Sequence, residues 1–169
     1  MTISIYDISI PALVRGLTNL SALLAKGVAR AAEEKFDPAA LLQARLFPDM
    51  FPLVSQVQLA CDTAKGAAAR LANTENPRHA DEEGSFADLQ ARIRKTLDIL
   101  EAVTPEQLRG AELREIVLQF PTYTLKFNGL NYLTRFVLPN FYFHLSIAYA
   151  LLRSNGVALG KRDFLGAIQ

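Results

Sequence analysis

A single cysteine, Cys61, stands in a chain of 169 residues. That excludes an internal disulfide framework and any zinc site built from thiolates. An excess of one charge is missing as well: 18 Lys and Arg face 17 Asp and Glu, for a net +1. A nucleic-acid partner needs Lys and Arg gathered on one face. The one local pair, Lys161-Arg162, is followed at once by Asp163 and reads as a solvated end. The stretch from Met1 to Asp7 has neither the basic start nor the apolar stretch of a signal peptide. No charge-free run reaches the ~18 apolar residues of a membrane span. The expectation is a soluble, cytoplasmic protein with no nucleic-acid and no membrane partner. The motifs G-x-S-x-G, G-x-x-x-x-G-K-[ST] and G-x-G-x-x-G are also absent. Gly160-Lys161 lacks the earlier glycine that a P-loop requires. Serine-hydrolase, P-loop and dinucleotide chemistry go with them.

Half the residues are hydrophobic (50%) and 21% are charged, a globular balance. The length suits one compact domain spanning 1–169. From Ile8 to Glu34, apolar residues recur at helical spacing through Leu13, Leu17, Leu20, Leu24 and Val28, with Ser9 or Asp7 as cap. Ala39–Ala44 reads as a short helical turn. A second long helix is expected from Met50 to Leu71, capped by Asp49, with a stripe of Leu53, Val57, Ala60, Ala64, Ala67 and Leu71. Cys61 falls on this alanine-rich helix and reads as a small buried hydrophobe. Asn73–Gly84 is a breaker-rich loop whose His79 is expected in solvent. Ser85 opens a third helix with Asp88 reaching back to it, and Phe86, Leu89, Ile93, Leu97 and Leu100 form its core face. The period then changes to two: Ile116, Leu118 and Phe120, then Tyr123, Leu125 and Phe127, describe a β-hairpin across Pro121-Thr122.

Gly129–Leu138 is expected to be helical, leading into the segment Pro139–Lys161. That segment reads as one helix ended by Asn155-Gly156, with Phe143, Ile147, Ala150 and Leu151 inward. It carries His144, the one histidine inside an apolar periodic segment. Asn140 lies four residues earlier on the same face. Four long helices with a hairpin before the last make the fold mainly α, an antiparallel four-helix bundle.

Two stretches, LFPDMFPLVSQVQLACDTAK (Leu46–Lys65) and PNFYFHLSIAYALLRSNGVALGKRDFL (Pro139–Leu165), resemble an uncharacterised bacterial domain family within the DinB/YfiT-type four-helix-bundle superfamily. The likeness covers essentially the whole chain. In its metal-binding members, one histidine from the second helix and an HxxxH pair from the fourth hold a divalent ion. Counting back from Gly156, the resemblance places His144 at the second histidine of that pair, Asn140 at the first, and Gln56 near the second-helix position. Of the three imidazoles, only one remains. Zn²⁺ and Ni²⁺ favour imidazole or thiolate, and neutral amide oxygens are weak ligands for them.

The resulting expectation is a degenerate metal position at Gln56, Asn140 and His144 lining a polar pocket. Asp49, Phe51, Tyr142 and Tyr149 are candidates for its lining, because ligand sites between bundle helices are common. A zinc or nickel ion on His144 is the alternative to no cofactor at all. His144 has three readings: a remnant of a metal site, a general base, or a core histidine satisfied by hydrogen bonds. The functional expectation is a non-catalytic or small-molecule-binding protein. The alternative is a metal-dependent transferase, hydrolase or thiol-dependent isomerase, as the resemblance implies. Self-association into a homodimer is expected from an apolar bundle face.

Overall fold

The computed structural model describes residues 3–167. Its first helix, α1 (Ile5–Glu34), starts one turn earlier than the period alone suggests. Ser4 is the cap: its hydroxyl accepts the Asp7 N–H at 3.2 Å, and the Asp7 carboxylate accepts the Ser4 N–H at 2.9 Å. Ser9 caps nothing; it is buried, and its hydroxyl donates to the Ile5 carbonyl at 2.6 Å. The core stripe runs Leu13, Leu17, Leu20, Leu24, Gly27, Ala31, while Val28 is 39% exposed. Two successive steps of four carry position 28 about 80° round the helix from Leu20, off the stripe.

After the short α2 (Ala39–Leu42), helix α3 runs Leu53–Ala72 rather than from Met50. Pro52 sets that start, because the residue before a proline is pushed out of the helical region. Asp49 is exposed and caps no helix. Helix α4 (Phe86–Glu101) is capped by Ser85, which accepts the Asp88 N–H at 3.1 Å. A 3₁₀ turn, Ala111–Leu113, leads into β1 (Glu115–Gln119) and β2 (Thr124–Asn128), paired antiparallel with Ile116 opposite Phe127 and Leu118 opposite Leu125. Ile116 and Leu118 are buried. Phe120 and Tyr123, expected to continue the inward face, are exposed and stack on each other at 4.6 Å beside the turn.

The chain is helical from Gly129 onward: α5 (Gly129–Tyr132), a π-helical turn (Leu133–Val137), then α6 (Leu138–Ser154). Pro139 has no N–H for the Arg135 carbonyl and its ring crowds that group; the wider turn directly ahead of it relieves both. Gly156, in the left-handed region, ends the run. A last helix, α7 (Lys161–Leu165), lies on α1.

Each long helix has two close neighbours: α3 packs on α4 and α6, and α1 packs on α4 and α6. The result is a four-helix bundle with one hydrophobic core, in which Leu13, Leu17, Leu53, Val57, Leu89 and Phe141 are fully enclosed. Helix α1 is long and apolar enough to cross a membrane by length and composition. Its apolarity is accounted for by the stripe it buries against α4 and α6.

Candidate functional site

Gln56 sits in the first turn of α3, 2% exposed, facing α6. Its amide nitrogen donates to the Phe51 carbonyl at 3.1 Å. That commits the side-chain oxygen to the other direction, where it lies 2.8 Å from Nδ1 of His144. An amide oxygen only accepts, so the network assigns the proton of His144 to Nδ1 and leaves Nε2 with the free lone pair. Burial lowers the pKa of His144 below its usual value, so the ring is neutral near pH 7. The Phe143 ring stands edge-on to it at 5.3 Å.

Asn140 does not join this pair. Its amide nitrogen reaches back along the helix to the Phe136 carbonyl at 2.7 Å. The expected lining residues divide between faces. Phe51, 60% exposed, contributes its carbonyl to Gln56. Tyr142 lines a separate cleft of about 300 Å³ with Arg15, Asn19 and Phe164, and Tyr149 packs on the Phe164 ring at 5.8 Å. Phe143, expected inward, is 53% exposed. The face of α6 that meets α1 and α3 carries Phe141, Leu145, Ala148 and Leu152 instead.

As a metal position the donor set does not fit zinc or nickel. It offers one imidazole nitrogen, an amide turned to a helix carbonyl and an amide already bonded to the imidazole. Among the described residues, no group of three His, Cys, Asp or Glu side chains is placed to hold an ion. Cys61 is fully buried, and burial pushes its thiol up to about 12, far from a thiolate at neutral pH.

A second polar centre was not anticipated. The side chain of Arg92, 2% exposed, meets Asp62 at 3.0 Å, Asp81 at 3.0 Å and Glu83 at 2.9 Å. Lys65, 5% exposed at its side chain, donates to the Asn76 side chain at 3.0 Å and the Pro77 carbonyl at 2.6 Å. Together they fasten the 73–84 loop onto α3 and α4. His79 is therefore not the solvated residue expected: both ring nitrogens are enclosed and unpartnered. Burial first, then Lys65, Lys95 and Arg92, hold its pKa below the usual value. The signal lay in the helix faces: Lys65 and Arg92 each interrupt an apolar stripe, and a charge there needs buried partners.

The family model for a domain of unknown function, DUF1993, matches residues 5–165. Among solved structures, the crystal structure of a DinB family member protein from Shewanella denitrificans is 38% identical, with a TM-score of 0.90 over 96% of this chain and 92% of that one. No curated protein matches the chain.

Proposed function

This chain belongs to the DUF1993 family of DinB-like bundles, and we propose that it is a binding protein whose metal position has become a hydrogen-bonded pair. The observation that carries the reading is the contact of Gln56 Oε1 with His144 Nδ1 at 2.8 Å. It spends the Gln56 oxygen on the imidazole, leaving His144 Nε2 as the one unengaged lone-pair donor of the pair and supplying no charge to a cation. What remains is Nε2 of a neutral ring beside an exposed aromatic side chain, suited to accepting a hydrogen bond from a small molecule.

The test is the metal content of protein purified without a polyhistidine tag, followed by titration with Zn²⁺, Ni²⁺ and Mn²⁺. Protein empty of metal and indifferent to all three ions agrees with the reading. Near-stoichiometric metal that disappears in His144→Ala overturns it in favour of a metal-dependent transferase, hydrolase or thiol-dependent isomerase.

We propose as well that the protein works in the cytoplasm and as a homodimer. Phe51 and Phe143, 60% and 53% exposed, flank the Gln56–His144 pair, and Phe47 nearby in sequence is 64% exposed. A second copy covering these rings would bury apolar surface that a monomer leaves in water. Sedimentation at two concentrations decides it: a monomer throughout removes the dimer.

A further inference from the structure

Away from the His144 position, a cleft of about 260 Å³ opens between α3 and β1. Its distinguishing group is Arg70. The guanidinium is half-buried, and no carboxylate among the described residues pairs with it, whereas Arg92 on the next helix has three. One Nη of Arg70 donates to the Tyr132 hydroxyl at 3.1 Å, with the guanidinium carbon 6.0 Å from the ring centroid. Tyr132 is 1% exposed, and burial raises its phenol above its usual pKa, so it stays protonated. Its oxygen accepts from Arg70; its own proton has no acceptor in the hydrogen-bond network.

The local sequence holds this arrangement in two ways. Gly66 lies one turn before Arg70, and a β-carbon there would collide with the Arg70 guanidinium. A glycine inside a helix costs ~1 kcal/mol against alanine; here its bare face is the ledge on which the guanidinium lies. The second device is the π-helical turn Leu133–Val137, which carries Phe136 to a stacked position 5.9 Å from the Tyr132 ring. Phe136, Leu118 and Phe120 then give the cleft an apolar wall beside its donors.

The guanidinium N–H groups of Arg70 and the Tyr132 O–H lie together at one end of the slot, and that end carries an uncompensated positive charge. A planar carboxylate takes a guanidinium edge in a bidentate grip and accepts the phenol proton as well. Asp62, two turns earlier on α3, lies at the far end of the cleft, already engaged by Arg92 at 3.0 Å and Lys65 at 3.7 Å. A dianion would meet it; a monoanion with an uncharged tail would not. We propose that this cleft binds a small apolar monocarboxylate, its carboxylate held by Arg70 and the Tyr132 hydroxyl and its tail against Phe136, Leu118 and Phe120.

The experiment titrates the full chain with benzoate and, in parallel, with benzamide, its uncharged isostere, following amide resonances by NMR. Benzoate is expected to saturate near ~1 mM, as befits a fragment of this size, shifting resonances of α3 and β1. Benzamide is expected to bind at least tenfold more weakly. Arg70→Met should weaken benzoate tenfold or more, and Tyr132→Phe severalfold. His144→Ala should leave the affinity unchanged, separating this site from the Gln56–His144 pair. Should Arg70→Met fail to fold, Tyr132→Phe and Gly66→Ala, which displaces the guanidinium, carry the test. Equal affinity for benzamide, no saturation with benzoate, or wild-type affinity in folded Arg70→Met, Tyr132→Phe or Gly66→Ala overturns the proposal.

Discussion

Gly16 lies directly under the ring of Phe141: a β-carbon at position 16 would overlap the ring, standing 2.7 Å from Cζ and 3.0 Å from Cδ2 of Leu145. The glycine is what lets α6 approach α1. Phe141 is wholly enclosed, so the ring has nowhere to move. Gly16→Ala gains up to ~1 kcal/mol of helix propensity but overpacks the core, at a cost of ~1–3 kcal/mol. Overpacking wins. Urea unfolding should show Gly16→Ala less stable by about 1–2 kcal/mol, with an unchanged slope.

Arg92→Ala should be among the most damaging single changes on the polar side of the bundle. It strips Asp81 and Glu83 of their ion-pair partner and leaves Asp62 with Lys65 alone, and Glu83 has a side chain only 10% exposed. Removing one member of a buried ionic cluster costs ~3–5 kcal/mol; the exposure of Asp81, at 62%, argues for the lower end. The 73–84 loop should also become the first site cut by a nonspecific protease, which a digestion time course would reveal. Equal protease resistance in the variant would show that Lys65 alone secures the loop.

Stability should fall with acidification in two stages. His79 and His144 both have pKa values lowered from 6.5, each with burial as the leading cause. The unfolded chain therefore binds protons that the folded chain refuses, and stability drops as pH falls below about 6.5. The second stage belongs to carboxylates held low. Asp7 and Asp163 are lowered from 3.8 by hydrogen bonds from Ser4 and Lys26. Glu83 is lowered from 4.5: burial pulls it up, but Gln58 and Arg92 outweigh burial. Their contribution is whole above about 4.5 and is lost below it. Urea midpoints at pH 7.5, 5.5 and 3.5 would trace both stages, and His79→Gln should flatten part of the first.

If the proposed reading holds, two added imidazoles should create an ion site. Gln56→His with Asn140→His would give α3 and α6 the three-histidine set that the family resemblance implies for a metal centre. The double variant should take up zinc stoichiometrically, with calorimetry or a chromogenic chelator as the readout. Release of protons as zinc binds would mark imidazole ligation. A double variant that folds and ignores zinc would mean that the turn of α6 around Pro139, and not side-chain identity alone, has closed the position.

The helical frame was legible in the sequence because a buried stripe repeats near 3.6 residues, and the hairpin because its period is two. The misreadings share a physical origin. By residue type Asp49 caps a helix from Met50, yet Pro52 outranks it sterically and the helix begins at Leu53. Phe120 and Tyr123 continued the alternation on paper, but a turn residue has no facing strand to bury it, so the two rings cover each other. Phe143 falls on the apolar period of its segment, yet the seams with α1 and α3 take Phe141 and Leu145. At the site, the resemblance groups Gln56, Asn140 and His144 as one position, and the structure shows Gln56 hydrogen-bonded to His144. Spacing and resemblance both set Asn140 beside them, and neither reveals that a carbonyl one turn back is its partner. The cluster around Arg92 was invisible because its members come from two helices and a loop that only folding brings together.

The seat of α7 on α1 has a bearing on how the chain is made. Arg15 donates to the Leu165 carbonyl at 2.6 Å, across 150 residues, and Lys26 meets Asp163 at 2.6 Å. Helix α1 is thus synthesised before α4, α6 and α7, the elements it packs against. Its apolar stripe waits in the nascent chain until those helices follow, an opening for chaperone capture that α4 begins to close and α6 completes.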